Sequence, residues 1–150
     1  MMNVTVTRTV RAPVPRVWEV ATDLAGMPAV MSGIERVEVL TDGPFSVGTR
    51  WRETRRMFGR EASEEMRVVE AEAPNSYLVH ADSHGMHYVT SFAFRAAGDD
   101  TTEVTMTFGG EARSSMSKVL GFVTGPLSVR SVRKAVEQDL ADLATACENG

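Results

Sequence analysis

The sequence predicts an α+β fold in which one antiparallel sheet receives a long C-terminal helix. Between Val129 and Cys147 the apolar residues Val129, Val132, Val136, Leu140, Leu143 and Cys147 recur in steps of three and four. That is the period of one helix face. From Ile34 to Gly110, short runs with strand character follow one another, separated by turns containing Gly, Pro, Asn or Asp. Turns this short join antiparallel neighbours, so these six strands form a meander.

Residues 4–10 alternate Val with Thr or Arg and are rich in β-branched side chains, a first strand. Pro13 and Pro15 stop it and suit the first turn of a helix, whose apolar face is Val17, Trp18, Ala21 and Leu24. Gly26 and Pro28 end that helix, and residues 27–31 make a second short one before Gly33. The meander then runs through strands 34–40, 47–58, 61–72, 77–83, 86–95 and 102–110. Gly59-Arg60 and His84-Gly85 are its tight hairpins, and Asp42-Gly43-Pro44, Pro74-Asn75 and Gly98-Asp99-Asp100 separate the remaining strands. The last helix is expected to begin near Met116, with Val119, Leu120, Phe122, Val123 and Leu127 extending the apolar pattern. Gly125-Pro126 should break or kink it, because proline removes a helix hydrogen bond and clashes with the preceding turn. Arg130, Arg133, Lys134, Glu137, Gln138, Asp139 and Asp142 are read as the opposite, solvated face.

Composition narrows the function. A chain of 150 residues suits a single domain, 1–150, with a substantial core. Hydrophobic content of 43% and charged content of 24% are those of an ordinary globular protein. A net charge of -4 argues against a general nucleic-acid binder. The lone Cys147 excludes an internal disulfide and a thiol-rich metal site. No apolar run approaches the roughly 18 residues of a membrane span, and the first residues lack the pattern of a signal peptide. A cytoplasmic protein is expected, as monomer or homodimer.

The order strand, two short helices, six-strand meander and long helix resembles the START-like, or helix-grip (SRPBCC), superfamily. Within it the chain is similar to the polyketide cyclase/dehydrase and lipid-transport group. The matching stretches are Val10-Arg11-Ala12-Pro13 with Val17-Trp18, Val47-Gly48-Thr49-Arg50-Trp51, Glu70-Ala71-Glu72-Ala73-Pro74, and Asp139-Leu140-Ala141-Asp142-Leu143. The resemblance implies a curved, seven-stranded antiparallel sheet wrapped round the C-terminal helix, with a cavity between them. These motifs specify fold better than activity.

Strand alternation sorts the side chains of such a sheet. One face carries Thr49, Trp51, Glu53, Arg55 and Met57, then Ala62, Glu64, Met66 and Val68. Tyr88, Thr90, Phe92 and Phe94 share a face, as do Val104, Met106 and Phe108. These sets are expected to point inward. For 77–83 either Val79 and Ala81 or Leu78 and His80 could do so. Candidate ligand-lining residues are therefore Trp51, Met57, Met66, Tyr88, Phe92, Met106 and Phe108, with Met116, Leu120 and Val123 from the helix. Methionine suits an adaptable apolar pocket as well as gap-filling in a core. The cavity mouth is expected where Gly59-Arg60, His84-Gly85 and the stretch 110–114 meet the start of the long helix.

Glu53, Arg55 and Glu64 are charges on a largely apolar face. Such charges pair, border a wet cavity, or reach solvent from strand ends. With Tyr88 they are the candidate catalytic groups of an aromatase/cyclase, and His87 is a further acid–base candidate. His80, His84 and His87 cluster round one hairpin, but their spacing matches no zinc pattern, and a solvated hairpin tip accounts for them. No phosphate loop, nucleophile elbow or HExxH motif is present, and neither metal nor cofactor is expected. Ser114 and Ser115 read as a helix cap. Three function classes follow: a carrier of a hydrophobic small molecule (lipid or polyketide-like), a polyketide aromatase/cyclase, and a protein-interaction module with an exposed apolar patch. The carrier is the reading adopted from the sequence.

Overall fold

A computed structural model describes residues 2–57, 59–83, 85–112 and 129–149. Strand β1 (Met2–Val10) leads into helix α1 (Val14–Ala21), a single 3-10 turn (Leu24–Gly26) and helix α2 (Met27–Val30). The meander follows: β2 (Ile34–Val39), β3 (Arg50–Met57), β4 (Arg60–Glu72), β5 (Ser76–Ser83), β6 (Met86–Gly98) and β7 (Thr101–Ala112). Helix α3 (Val129–Glu148) closes the described chain. The expected helical stretch from Met116 to the break at Gly125-Pro126 lies outside the described residues.

All seven strands form one antiparallel sheet in the order β1-β7-β6-β5-β4-β3-β2. The meander accounts for six neighbours in sequence order, and β1 completes the sheet beside β7, in register from Met2↔Gly110 to Val10↔Thr102. Gly59 and Gly85 each adopt φ +78, the left-handed conformation that hairpin turns require and side chains resist.

Two expectations change at the margins. Residues 47–49 are not strand. Gly48 turns with φ +96, and the Ser46 amide donates to Thr49 Oγ1 at 3.0 Å, so β3 begins at Arg50. Strand β6 runs three residues past Arg95, because Phe94, Ala96 and Gly98 still pair with β7.

Register settles the inner face. Phe92 stands opposite Tyr77, Thr90 opposite Val79 and Tyr88 opposite Ala81. Tyr77, Val79 and Ala81 are buried on that face, so Leu78 and His80 point outward. Helix α3 buries Val132, Val136, Leu140, Leu143, Ala144 and Cys147, and packs chiefly against β1 and α1. Trp18, expected in the core, is only partly buried. Its ring meets Phe45, Tyr77 and Phe94 edge-on at centroid distances of 5.8–5.9 Å, an arrangement that aligns ring edge with ring face.

The outer face of β2, β3 and β4 is a ladder of cross-strand ion pairs. Arg52 reaches Glu38, Arg50 reaches Glu65, and Arg56 bridges Glu35 and Glu61. Each pair is exposed and contributes little alone. Together they place alternating charge on an edge strand, which discourages pairing with another chain. Thr54, which alternation places on this outer face, is buried among them, its hydroxyl 2.8 Å from that of Ser63.

Candidate functional site

Among the described residues the inner face of the sheet divides into a filled end and an open end, where side chains are only partly buried. At the filled end Tyr77, Phe92, Phe94, Val104 and Met106 are buried under α1 and α3. Towards the hairpin tips the same strands carry Met66, Tyr88, Thr90 and Phe108, all only partly buried although they belong to β4, β6 and β7 of the sheet interior. Tyr88 stacks on Phe108 with ring centroids 5.7 Å apart. Beside it Gly110 has no side chain. A Cβ there would lie 3.4 Å from the Tyr88 ring. The row Trp51, Met66, Ala81, Tyr88, Gly110 crosses five strands at the same level.

Of the sequence candidates, Trp51, Phe92 and Met106 are buried in the core, and Met66, Tyr88 and Phe108 line the open end. Met57 ends β3, but its side chain lies outside what the structure describes, as do Met116, Leu120 and Val123 altogether.

Glu53 and Arg55 do not stand free on this face. Arg55 Nε donates to Glu53 Oε2 at 2.7 Å, and its Nη1 and Nη2 donate to Asp139 Oδ1 and Oδ2 at 3.2 and 2.9 Å. The indole of Trp51 donates to the other Glu53 oxygen at 3.4 Å. Glu53 is 9% exposed and Asp139 5%. The guanidinium thus ties β3 to α3 through a fork-to-fork pair, the geometry for which arginine is suited. Burial works against its charge, but Asp139 and Glu53 outweigh that and raise its pKa. Asp139 is raised by burial, against the pull of Arg55. Gly33 leaves room for the cation, since a Cβ there would sit 3.0 Å from Arg55 Nη1.

Asp139 is the partner that sequence reasoning missed, having been assigned to the solvated face. Its position, three after Val136 and four before Leu143, puts it on the border of the apolar stripe. The signal was Arg55 itself, an inward cation whose expected partners were Glu53 and Glu64 on the neighbouring strands, whereas the helix supplies the second carboxylate. Asp142, one turn on, is part-buried and accepts from the Ser32 amide and hydroxyl at 2.9 and 2.8 Å, securing the chain between α2 and β2.

Glu64 differs from Glu53, although it stands directly opposite it across β3 and β4. Its Oε2 is buried and has no hydrogen-bond partner among the described residues. Burial raises the Tyr88 phenol above its ordinary value, and the charge of Glu64 raises it further. Tyr88 therefore stays protonated at neutral pH, a donor rather than a base.

The histidines lie elsewhere. His87 faces away from Tyr88 on the outer side, with Nδ1 2.7 Å from Asp82 Oδ1 and its ring edge-on to His80 at 4.8 Å. It is thereby removed from the inner-face acid–base set. The hydrogen bond from His87, more than burial, sets the Asp82 carboxyl below its ordinary value. His84 lies outside the described residues, and no group of three or more metal-binding side chains occurs among the described ones.

Tyr77 provides a pH probe of the core. Burial, with the charges of Glu53 and Asp139, raises its pKa well above 10. The unfolded chain then loses the proton first, so this contribution to stability is intact below about pH 10 and falls by about 1.4 kcal/mol per pH unit above it. Tyr77→Phe is expected to flatten that alkaline decline, read from urea unfolding between about pH 9 and about pH 11. An identical decline in both proteins would contradict the burial of the phenol.

The chain belongs to the family described as polyketide cyclase / dehydrase and lipid transport, whose model matches residues 1–148. No curated protein matches the sequence. Among solved structures, a protein of Thermus thermophilus superposes with a TM-score of 0.81 at 21% identity, covering 98% of this chain and 97% of that one. The Zhui aromatase/cyclase of a Streptomyces species gives 0.74 at 21%, covering 97% and 93%. A START superfamily protein of Mycobacterium smegmatis gives 0.72 at 19%, covering 99% and 96%. The fold is the helix-grip fold that the sequence order predicts. At these identities the likeness speaks for fold alone. No helix among the described residues is long and apolar enough to cross a membrane.

Proposed function

We propose that the protein, as one START-like domain over 1–150, binds or carries a hydrophobic small molecule on the inner face of the sheet. The observation that carries this reading is the partly buried patch Met66, Tyr88, Thr90 and Phe108, next along the same inner face to the packed residues Val68, Val79, Phe92 and Met106. Apolar area left uncovered at this end of the sheet gains about 25 cal/mol for every Å² a ligand covers, and methionine adapts to ligand shape. Trp51, Phe92 and Met106 would form the floor, with Met57, Met116, Leu120 and Val123 as further lining residues.

The carrier is favoured over the aromatase/cyclase because Arg55, the group best suited to polarise a carbonyl, is engaged on all three nitrogens by Glu53 and Asp139. A cyclase would be left with Glu64 and Tyr88 for acid–base work. Native mass spectrometry of freshly purified protein is expected to show a small hydrophobic adduct. Met66→Asp should lose it and weaken binding of an apolar fluorescent probe at least about tenfold, and its melting temperature, measured beside the wild type's, separates that loss from unfolding. Absence of any adduct, together with no affinity for apolar probes, would reject the reading. Cyclisation of a poly-ketone analogue above the no-protein rate, lost in Glu64→Gln, would replace it with the enzyme.

A further inference from the structure

We propose, building on the ligand-binding reading above, that Glu64 selects the ligand: an uncharged aromatic or alicyclic molecule bearing a hydroxyl donor, in preference to an anion such as a fatty acid. Glu64 shares the inner face with Trp51 and Met66, because Glu53↔Glu64 and Trp51↔Met66 are successive same-face pairs of β3 and β4. Its Oε2 is buried without a hydrogen-bond partner among the described residues. A buried polar atom left unpaired is unfavourable by more than a made hydrogen bond contributes. A carboxylate can only accept, so the missing group is an O–H or N–H donor.

The surrounding charge sharpens the choice. The inner face here holds Glu53, Glu64 and Asp139 against Arg55, and Arg55 is spent on two of those three carboxylates. An incoming carboxylate would meet Glu64 with no uncommitted inner-face cation beside it among the described residues, and like charges at close range repel. Arg60 follows the same alternation but sits exposed at the hairpin tip. The rest of the surface suits a ring. Tyr88 and Phe108 stack with an interplanar angle of 26°, and Gly110 leaves a notch at the Tyr88 face. A flat molecule laid against these rings would direct a hydroxyl towards Glu64, while the protonated Tyr88 phenol could donate to an acceptor on it.

The test uses three probes of one shape: naphthalene, β-naphthol and β-naphthoate, titrated at neutral pH by ligand fluorescence or calorimetry. Wild-type protein is expected to bind β-naphthol more than tenfold tighter than β-naphthoate, with naphthalene between them. Glu64→Gln, which removes the charge and keeps an acceptor, should reduce the naphthol-to-naphthoate ratio at least about tenfold. Met66→Ala should weaken all three probes alike and leave the ratio unchanged. Equal or tighter binding of naphthoate by the wild type, or a ratio unaffected in Glu64→Gln, would overturn the selection role while leaving the pocket intact. Failure of all three probes to bind would remove the ligand-binding reading and this one with it.

Discussion

Replacing Arg55 with methionine should destabilise the fold by about 3–5 kcal/mol, the range for breaking a buried ion pair by deleting one partner. Methionine reproduces the aliphatic stem but leaves Glu53 and Asp139, both buried, without the cation that joins them. Burial, with the charge of Glu53 added to it, already raises the Asp139 carboxyl, and without the guanidinium one of the two must take up a proton or return to water. The pair also spans β3 and α3, so its loss loosens the helix from the sheet. Asp139→Asn in the same chain should recover part of the deficit, because it removes one of the two stranded charges. Urea unfolding at neutral pH of the wild type, Arg55→Met and Arg55→Met/Asp139→Asn measures both effects. A single-mutant loss below about 0.5 kcal/mol, the range of surface changes, would mean that the network is solvated. A carrier tolerates this substitution in its ligand affinity more readily than in its stability. A cyclase using Arg55 on a carbonyl would lose turnover even where the protein remains folded.

The sheet order was legible because turn signals and strand alternation are local properties. His84-Gly85 and Gly59-Arg60 mark their hairpins without reference to the rest of the chain. The face of β5 was not legible, since Val79 with Ala81 and Leu78 with His80 are equally plausible inner pairs. Only the register against Thr90 and Tyr88 decides, and register is a relation between strands. The candidate site divides in the same way. Alternation put Glu53, Arg55 and Glu64 on the inner face together, but the three look equivalent in sequence. What separates them is Asp139, 84 residues from Arg55 along the chain. It engages Arg55 alongside Glu53 and leaves Glu64 with an oxygen unmatched among the described residues. The helix period that found the apolar stripe of α3 also hid Asp139. A residue on the border of the stripe is polar by composition and buried by geometry, and a binary pattern records only the first.

Leu140→Ala should cost about 2–5 kcal/mol, the measured range for emptying a buried leucine site. Leu140 is 1% exposed and Leu143 0%, with Val136 at 4% one turn before, so α3 presents a closely packed ridge to β1 and α1. The place within that range depends on how far the surroundings can collapse into the void. Here they are constrained on two sides. Val4 and Val10 belong to β1, which is paired with β7 along its whole length. Asp139, the preceding residue, is pinned to Arg55, and Asp142 to Ser32. A helix fixed by polar contacts on both sides of Leu140 cannot easily slide or rotate to fill the gap, which favours the upper half of the range. Val39→Ala supplies the control, because Val39 is 43% exposed on the edge strand β2 and should change stability by less than about 0.5 kcal/mol. The two variants, unfolded in urea beside the wild type with unchanged m-values, test the helix-on-sheet packing directly. Equal small losses in both would place Leu140 outside the core, and with it the helix face that the apolar period defines.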